Sequence, residues 1–154
     1  MLFRSGDQER ACRCTPEQIK RYGARISGPL LDRIDLHVAV HRLPPSDLLG
    51  EGANGEPSLD VRNRVCASKQ LQEQRQGCAN GQIPPDQLPR ICALAGGERR
   101  QLESAAKRMT LSGRALHRTL RVARTIEDLD GSAGINQAHI GEALAYRDSD
   151  LPIQ

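Results

Sequence analysis

Apolar residues recur at helical spacing over most of the second half of the chain. In residues 112–129, SGRALHRTLRVARTIEDL, a pitch of about 100° per residue puts Leu116, Leu120, Ala123 and Ile126 on one face. Arg114, Arg118, Arg121 and Arg124 fall on nearly the opposite face. Ser112 is placed to cap this helix, its hydroxyl taking one of the orphan N–H groups of the first turn. Residues 98–109 repeat Leu102, Ala105, Ala106 and Met109, and Asn136 is placed to cap a last helix through Ile140, Ala143, Leu144 and Arg147. Ser58 is placed to cap a long helix running to about Gln76, apolar at Val61, Val65 and Leu71 and ending before Gly77. Between these, Pro84-Pro85 start a shorter helix through Leu88, Ile91 and Leu94, bent or shortened by Pro89 and stopped by Gly96-Gly97. Five helices with short connections predict a small bundle.

The first part of the chain reads differently. Thr15-Pro16-Glu17-Gln18 opens a helix by several rules at once: Thr15 caps, Pro16 suits the first helical position, and Gln18 completes a capping box. Ile19, Tyr22 and Ile26 follow, and Gly28-Pro29 ends that helix. One more helical turn is expected over residues 30–34. Residues 35–40 alternate, with Leu36, Val38 and Val40 on one side, which predicts a short strand. That strand finds no partner elsewhere in the sequence, so its backbone groups would go unpaired unless hydrated. It reads as a strand cut away from its sheet. Residues 1–14 are polar, keep no period and are expected to be poorly ordered. Pro44, Pro45, Gly50, Gly52, Gly55 and Pro57 mark residues 42–57 as a linker. The organisation expected is a loose segment 1–14, a remnant 15–41, the linker 42–57, a helical domain 58–147 and a tail 148–154, mainly α throughout.

Composition narrows the classes. At 154 residues the chain holds one domain, or one small domain and part of another. Aromatic residues are 2%, so the core must be Leu, Ile, Val and Ala, which suits packed helices better than a β-sandwich. A net charge of +3 permits nucleic acid as a partner without requiring it. Five cysteines, an odd number, argue against a closed disulfide framework and fit a reducing compartment. No run of 18 apolar residues marks a membrane span, and MLFRSGDQER lacks the apolar region of a signal peptide, so a cytoplasmic location is expected.

A phosphate-binding Walker A loop needs a lysine after a glycine, and Lys20, Lys69 and Lys107 do not meet that condition. No apolar strand ends in Asp-Glu, and the four histidines are scattered among different elements, against any triad. Cys12-x-Cys14 has the spacing of half a zinc site, but a tetrahedral site needs two further ligands, and Cys66, Cys78 and Cys92 form no second close pair, so no metal is expected. Free thiols are the competing reading. Arg33, flanked by Asp32 and Asp35, reads either as a local salt bridge or as an arginine that reaches a neighbour's nucleotide. Arg114 lies in a first helical turn, where backbone N–H groups and the helix dipole favour anions. The arginine face as a whole is either solvated or phosphate-binding.

Cys12-x-Cys14-Thr-Pro-x-x-Ile-x-Arg-Tyr and Arg25-Ile-Ser-Gly-Pro-Leu-Leu-Asp-Arg-Ile-Asp-Leu-His-Val closely resemble the magnesium-chelatase-like AAA+ ATPases of the YifB/ComM type. Leu111-Ser-x-Arg-Ala-x-x-Arg-x-Leu-Arg-Val-Ala-Arg-Thr-Ile-x-Asp-Leu and Ile140-x-Glu-Ala-Leu-x-Tyr-Arg match the C-terminal helical lid of that group. The resemblance implies a C-terminal fragment of a hexameric ring ATPase, with residues 15–41 the end of the AAA+ core and 58–147 the lid. It implies that Arg33 is the arginine finger acting in trans, that Arg114 is the sensor 2 arginine, and that Arg118 is a secondary nucleotide contact. ATP, Mg²⁺, identical subunits and DNA are implied for the parent ring, which resembles a branch-migration helicase of natural transformation. The group's Cys-Pro-Cys-Gly stretch is replaced here by MLFRSGD, so half of a four-cysteine cluster is missing. The chain alone is expected to be monomeric, to bind no nucleotide and to hydrolyse no ATP. The rival expectation is a stand-alone DNA-binding or assembly module.

Overall fold

A computed structural model describes residues 14–25, 28–38, 40, 43 and 55–147. Among them are seven α-helices: α1 (Pro16–Gly23), α2 (Gly28–Leu31), α3 (Ser58–Gln76), α4 (Leu88–Ile91), α5 (Gly96–Arg108), α6 (Gly113–Asp130) and α7 (Gln137–Ala145). A 3₁₀ turn, Asn80–Gln82, lies between α3 and α4. No described helix is long and apolar enough to cross a membrane.

Local chemistry sets the helix ends. The Thr15 hydroxyl accepts from the Gln18 amide at 3.3 Å, and the Gln18 side chain accepts from the Thr15 amide at 3.0 Å, completing the expected capping box. Ser112 caps α6 through the Ala115 amide at 3.1 Å. Asn136 caps α7, and His139 Nδ1 accepts from the Asn136 amide at 3.2 Å. That leaves His139 Nε2 as the donor toward Asp130 Oδ2 at 3.2 Å, so this histidine is a buried structural group. Gly77 and Gly131 close α3 and α6 at φ 74° and 70°, a left-handed conformation that a side chain resists.

The core sits around α6, which packs against α3, α4, the 3₁₀ turn and α7, while α5 covers the other side of α7. Ile83, Leu88, Ile91, Leu102, Ala123, Ile140 and Leu144 fill it, as a core poor in aromatics must be filled. Cys92 is buried among them, and burial pushes its thiol up to about 11.

Several expectations from the sequence need correction. The described residues of the expected strand, 35–38 and 40, are not in a strand, and no strand occurs among the described residues. The His37 amide instead donates to the Tyr146 carbonyl at 2.8 Å, an isolated tie that no ladder continues. Helix α1 ends at Gly23, and Gly28-Pro29 opens α2 rather than stopping α1, since proline suits a first turn. The helix expected from Pro84 to Leu94 is reduced to the single turn α4, and Gly96-Gly97 begins α5 instead of ending α4. In α3 the expected stripe is displaced: Val61 and Val65 are 38% and 45% exposed, Leu71 is exposed, and Ser68 and Gln72 are buried. The reason is that α3 meets the bundle through its C-terminal half, where the contact is polar. Of the segment 1–14 expected to be poorly ordered, residues 1–13 lie outside the described residues, as do nearly all of the linker 42–57 and the whole tail.

That polar contact is a closed network. The Arg75 guanidinium forks onto both carboxylate oxygens of Asp128 and donates to Asn80 Oδ1 at 2.9 Å. Asn80 Nδ2 donates to Asp128 Oδ2 at 2.7 Å and to Thr125 Oγ1 at 3.1 Å. The Asn80 amide reaches Gln72 Oε1 at 2.9 Å, and Gln72 Nε2 reaches Ser68 Oγ at 3.1 Å. Burial alone would raise the Asp128 carboxyl, but the bonds from Arg75 and Asn80 and the charges of Arg75 and Arg124 more than offset it and hold its pKa below the ordinary carboxylate value.

A depressed carboxylate stabilises the fold above its unfolded-state pKa, roughly 3.9, and that contribution is lost as pH falls through the lower folded value. Asp128→Asn is therefore expected to flatten the acid limb of stability against pH, measured by urea unfolding between pH 7 and pH 2. Asp128→Ala strands the part-buried Arg75 and is expected to cost about 3 kcal/mol at pH 7.

Candidate nucleotide-contacting surface

The four arginines of α6 do not form one cationic face. Arg121 is turned inward and donates from Nε and Nη2 to the Ile83 carbonyl at 3.2 and 2.7 Å, closing the loop before α4. Arg124 lies 3.2 Å from the Glu127 carboxylate, with both side chains nearly buried. Burial raises the Glu127 pKa, and the Arg124 charge opposes that rise. Arg118 is partly buried and pairs with Asp35. Arg114 is exposed, and no described residue pairs with its guanidinium. Of the candidates on this helix, only Arg114 is wholly presented to solvent.

The helix N-terminus that carries Arg114 is partly provided for already. Ser112 Oγ, while capping Ala115, donates its own hydrogen to Asp32 Oδ2 at 2.8 Å. A hydroxyl can do both, having one donor and two acceptor sites. Asp32 thus puts a carboxylate where the helix dipole favours one. The expectation that Arg114 is ringed by free amides therefore needs qualification, because the Ala115 amide is occupied and an anion sits close by.

Arg33 lies just after α2, in a turn closed by its amide to the Leu30 carbonyl at 3.0 Å. Its side chain is exposed. The local salt bridge read from Asp32-Arg33-x-Asp35 does not form. Asp32 goes to Ser112 and Asp35 to Arg118, and no described residue pairs with the Arg33 guanidinium. Both carboxylates face the bundle, and the arginine between them is left unneutralised by either.

One residue was not anticipated as part of this corner. Arg147, after α7, is partly buried, and its Nε and Nη2 have no hydrogen-bond partner. Burial lowers its pKa, opposed by the charges of Asp32 and Asp35. In the sequence it reads only as a helix-end cation. A cleft of about 330 Å³ opens beside the corner, edged by Asp35, Arg118, Arg121 and Glu142 over a floor of Leu36, Val122 and Ile126. Of the cysteine pair, Cys12 lies outside the described residues and Cys14 is half-buried. Among the described residues no group of three or more His, Cys, Asp or Glu could hold a metal ion.

Comparison with known proteins agrees with the motif reading. Residues 55–147 match the family described as magnesium chelatase, subunit ChlI C-terminal, and residues 3–48 match magnesium chelatase, subunit ChlI. Over 135 residues, 88% of this chain, it is 43% identical to competence protein ComM of Haemophilus influenzae, covering 26% of that protein. It is 41% identical to the uncharacterized protein YifB of Escherichia coli over 138 residues, 90% of this chain and 27% of that one. For YifB of Salmonella typhimurium the identity is 40% over the same shares. The chain thus spans about a quarter of the length of these curated relatives.

The different environments of the arginines should be measurable. Arg121→Ala removes the donors to the Ile83 carbonyl and is expected to lower unfolding free energy by about 1–3 kcal/mol. Arg114→Ala is expected to change it by no more than about 0.5 kcal/mol. Chemical denaturation of the two variants side by side checks both.

Proposed function

The chain belongs to the magnesium chelatase ChlI-like family, related to the ComM and YifB ATPases, and on that premise we propose that it works as the C-terminal part of a ring-forming AAA+ ATPase. In this reading the ring is a hexamer of identical subunits, and the parent protein is an ATP-driven motor on DNA, as the resemblance to ComM suggests. Mg²⁺ bound with ATP would supply neutralisation of phosphate charge in the parent ring. This chain contributes cations.

Arg33 is proposed as the arginine finger, reaching ATP held by the adjacent subunit. The observation that carries this is the turn itself: an exposed guanidinium whose two flanking carboxylates are committed to Ser112 and Arg118. A cation delivered to the transferring phosphoryl group stabilises charge that spreads over its oxygens in the transition state. Arg114 is proposed as the sensor 2 arginine, in contact with the γ-phosphate. Arg118 contributes only where Asp35 releases it.

The rival reading, a DNA-binding module built on the arginine helix, is less well supported. Arg121 and Arg124 are occupied inside the bundle, and Arg118 holds Asp35. The aromatic content of 2% also leaves little to stack on single-stranded bases.

In the full-length protein, Arg33→Ala is expected to reduce ATP hydrolysis by about 10³-fold or more while leaving ATP binding intact. Turnover assays and fluorescent-nucleotide titration separate the two. ATPase that survives this change would overturn the finger assignment. The chain by itself is expected to show no Mg²⁺-dependent ATP turnover, because no lysine in it follows a glycine to cradle phosphate.

A further inference from the structure

The turn that presents Arg33 is fastened to the bundle at three points. Before it, Asp32 accepts from Ser112 Oγ at 2.8 Å, at the first turn of α6. After it, Asp35 pairs with Arg118, one and a half turns further along the same helix. Beyond that, the His37 amide donates to the Tyr146 carbonyl at 2.8 Å, at the end of α7. Arg147, part-buried beside this corner, has two guanidinium nitrogens without a hydrogen-bond partner. One carboxylate of the turn is therefore held by a hydroxyl and the other by a guanidinium of the bundle, and Arg33 between them takes neither.

The spacing makes this a device for aiming a side chain. Asp32 and Asp35 are three residues apart and grip points six residues apart on α6, Ser112 and Arg118. A turn gripped on both sides cannot rotate about either contact alone. Ser112 also fixes the start of α6, two residues before Arg114. The serine that receives Asp32 is thus the one that sets where Arg114 begins its helix.

We propose that Asp32 and Asp35 are positioning residues that lock the Arg33 turn onto the start of α6, so that Arg33 and Arg114 move as one rigid unit. This rests on the reading of both arginines as phosphate contacts. Its consequence is mechanical. When nucleotide shifts the helical bundle through Arg114, the bundle carries Arg33 with it, and the arginine offered to the neighbouring subunit moves in step.

Two measurements test this separately from the finger assignment. In this chain, the double variant Asp32→Ala/Asp35→Ala is expected to speed hydrogen exchange at the His37 amide at least tenfold, with the amides of central α6 unchanged as a control for folding. Unchanged exchange at His37 would overturn the lock, whatever Arg33 does. In the full-length protein, Asp35→Ala is expected to lower kcat for ATP about tenfold with KM for ATP unaltered, and Asp35→Glu to recover most of the loss. A kcat that does not fall in Asp35→Ala, together with faster His37 exchange, would overturn the positioning role while leaving the contact itself in place. Failure of Arg33→Ala to reduce ATPase would instead overturn the finger reading and the coupling built on it, while the His37 exchange would still decide whether the turn is locked.

Discussion

A guanidinium cannot shed its charge to enter a protein interior, so every arginine on a packed helix must find an anion, a carbonyl or water. Helix α6 carries four of them and is also the element around which the core is built. That pair of demands shapes the bundle. Arg121 takes the Ile83 carbonyl and thereby closes the loop ahead of α4. Arg124 takes Glu127 on its own helix, and Arg118 draws in Asp35 from a segment more than eighty residues earlier. Arg114, at the end that already carries a carboxylate, is left to solvent. The same logic runs through the Arg75–Asp128–Asn80 network, where α3 joins the bundle by satisfied polar groups instead of by apolar burial.

Much of this was legible from local pattern. Caps at Thr15, Ser112 and Asn136, the stop at Gly77 and the extent of α6 follow from chemistry within a few residues of each end. The cap expected of Ser58 does not form, Pro57 holding that position without a side-chain bond, and α5 begins at the glycines expected to end α4. What periodicity could not supply was the partner of each face. It placed Val61 and Val65 in the core because they are apolar, yet they lie on the part of α3 that the bundle does not reach. It made residues 35–40 a strand because they alternate, but alternation describes only which side chains share a side. Pairing needs a second strand, and none occurs among the described residues.

The candidate site was legible for a different reason. Arg33 and Arg114 were singled out by motif, and the family match covers both. Helical phase suggested that Arg114 and Arg118 were equivalent members of one face, whereas the fold separates them by giving Arg118 to Asp35. Arg147 belongs to the last helix and its motif in the sequence, but nothing there assigns it to this corner, because a cation at a helix end is ordinary. Its significance comes from the two aspartates that the fold brings beside it.

Cys92 has a consequence for how the bundle meets its chemical surroundings. With its thiol at about 11, only about one molecule in ten thousand carries the reactive sulfur anion at neutral pH, and that sulfur is closed off from solvent. A peroxide or an electrophile arriving from outside would meet Cys66 on the surface long before it met the interior. The centre of the bundle is in this respect chemically inert, and oxidative damage to the chain would begin at its periphery.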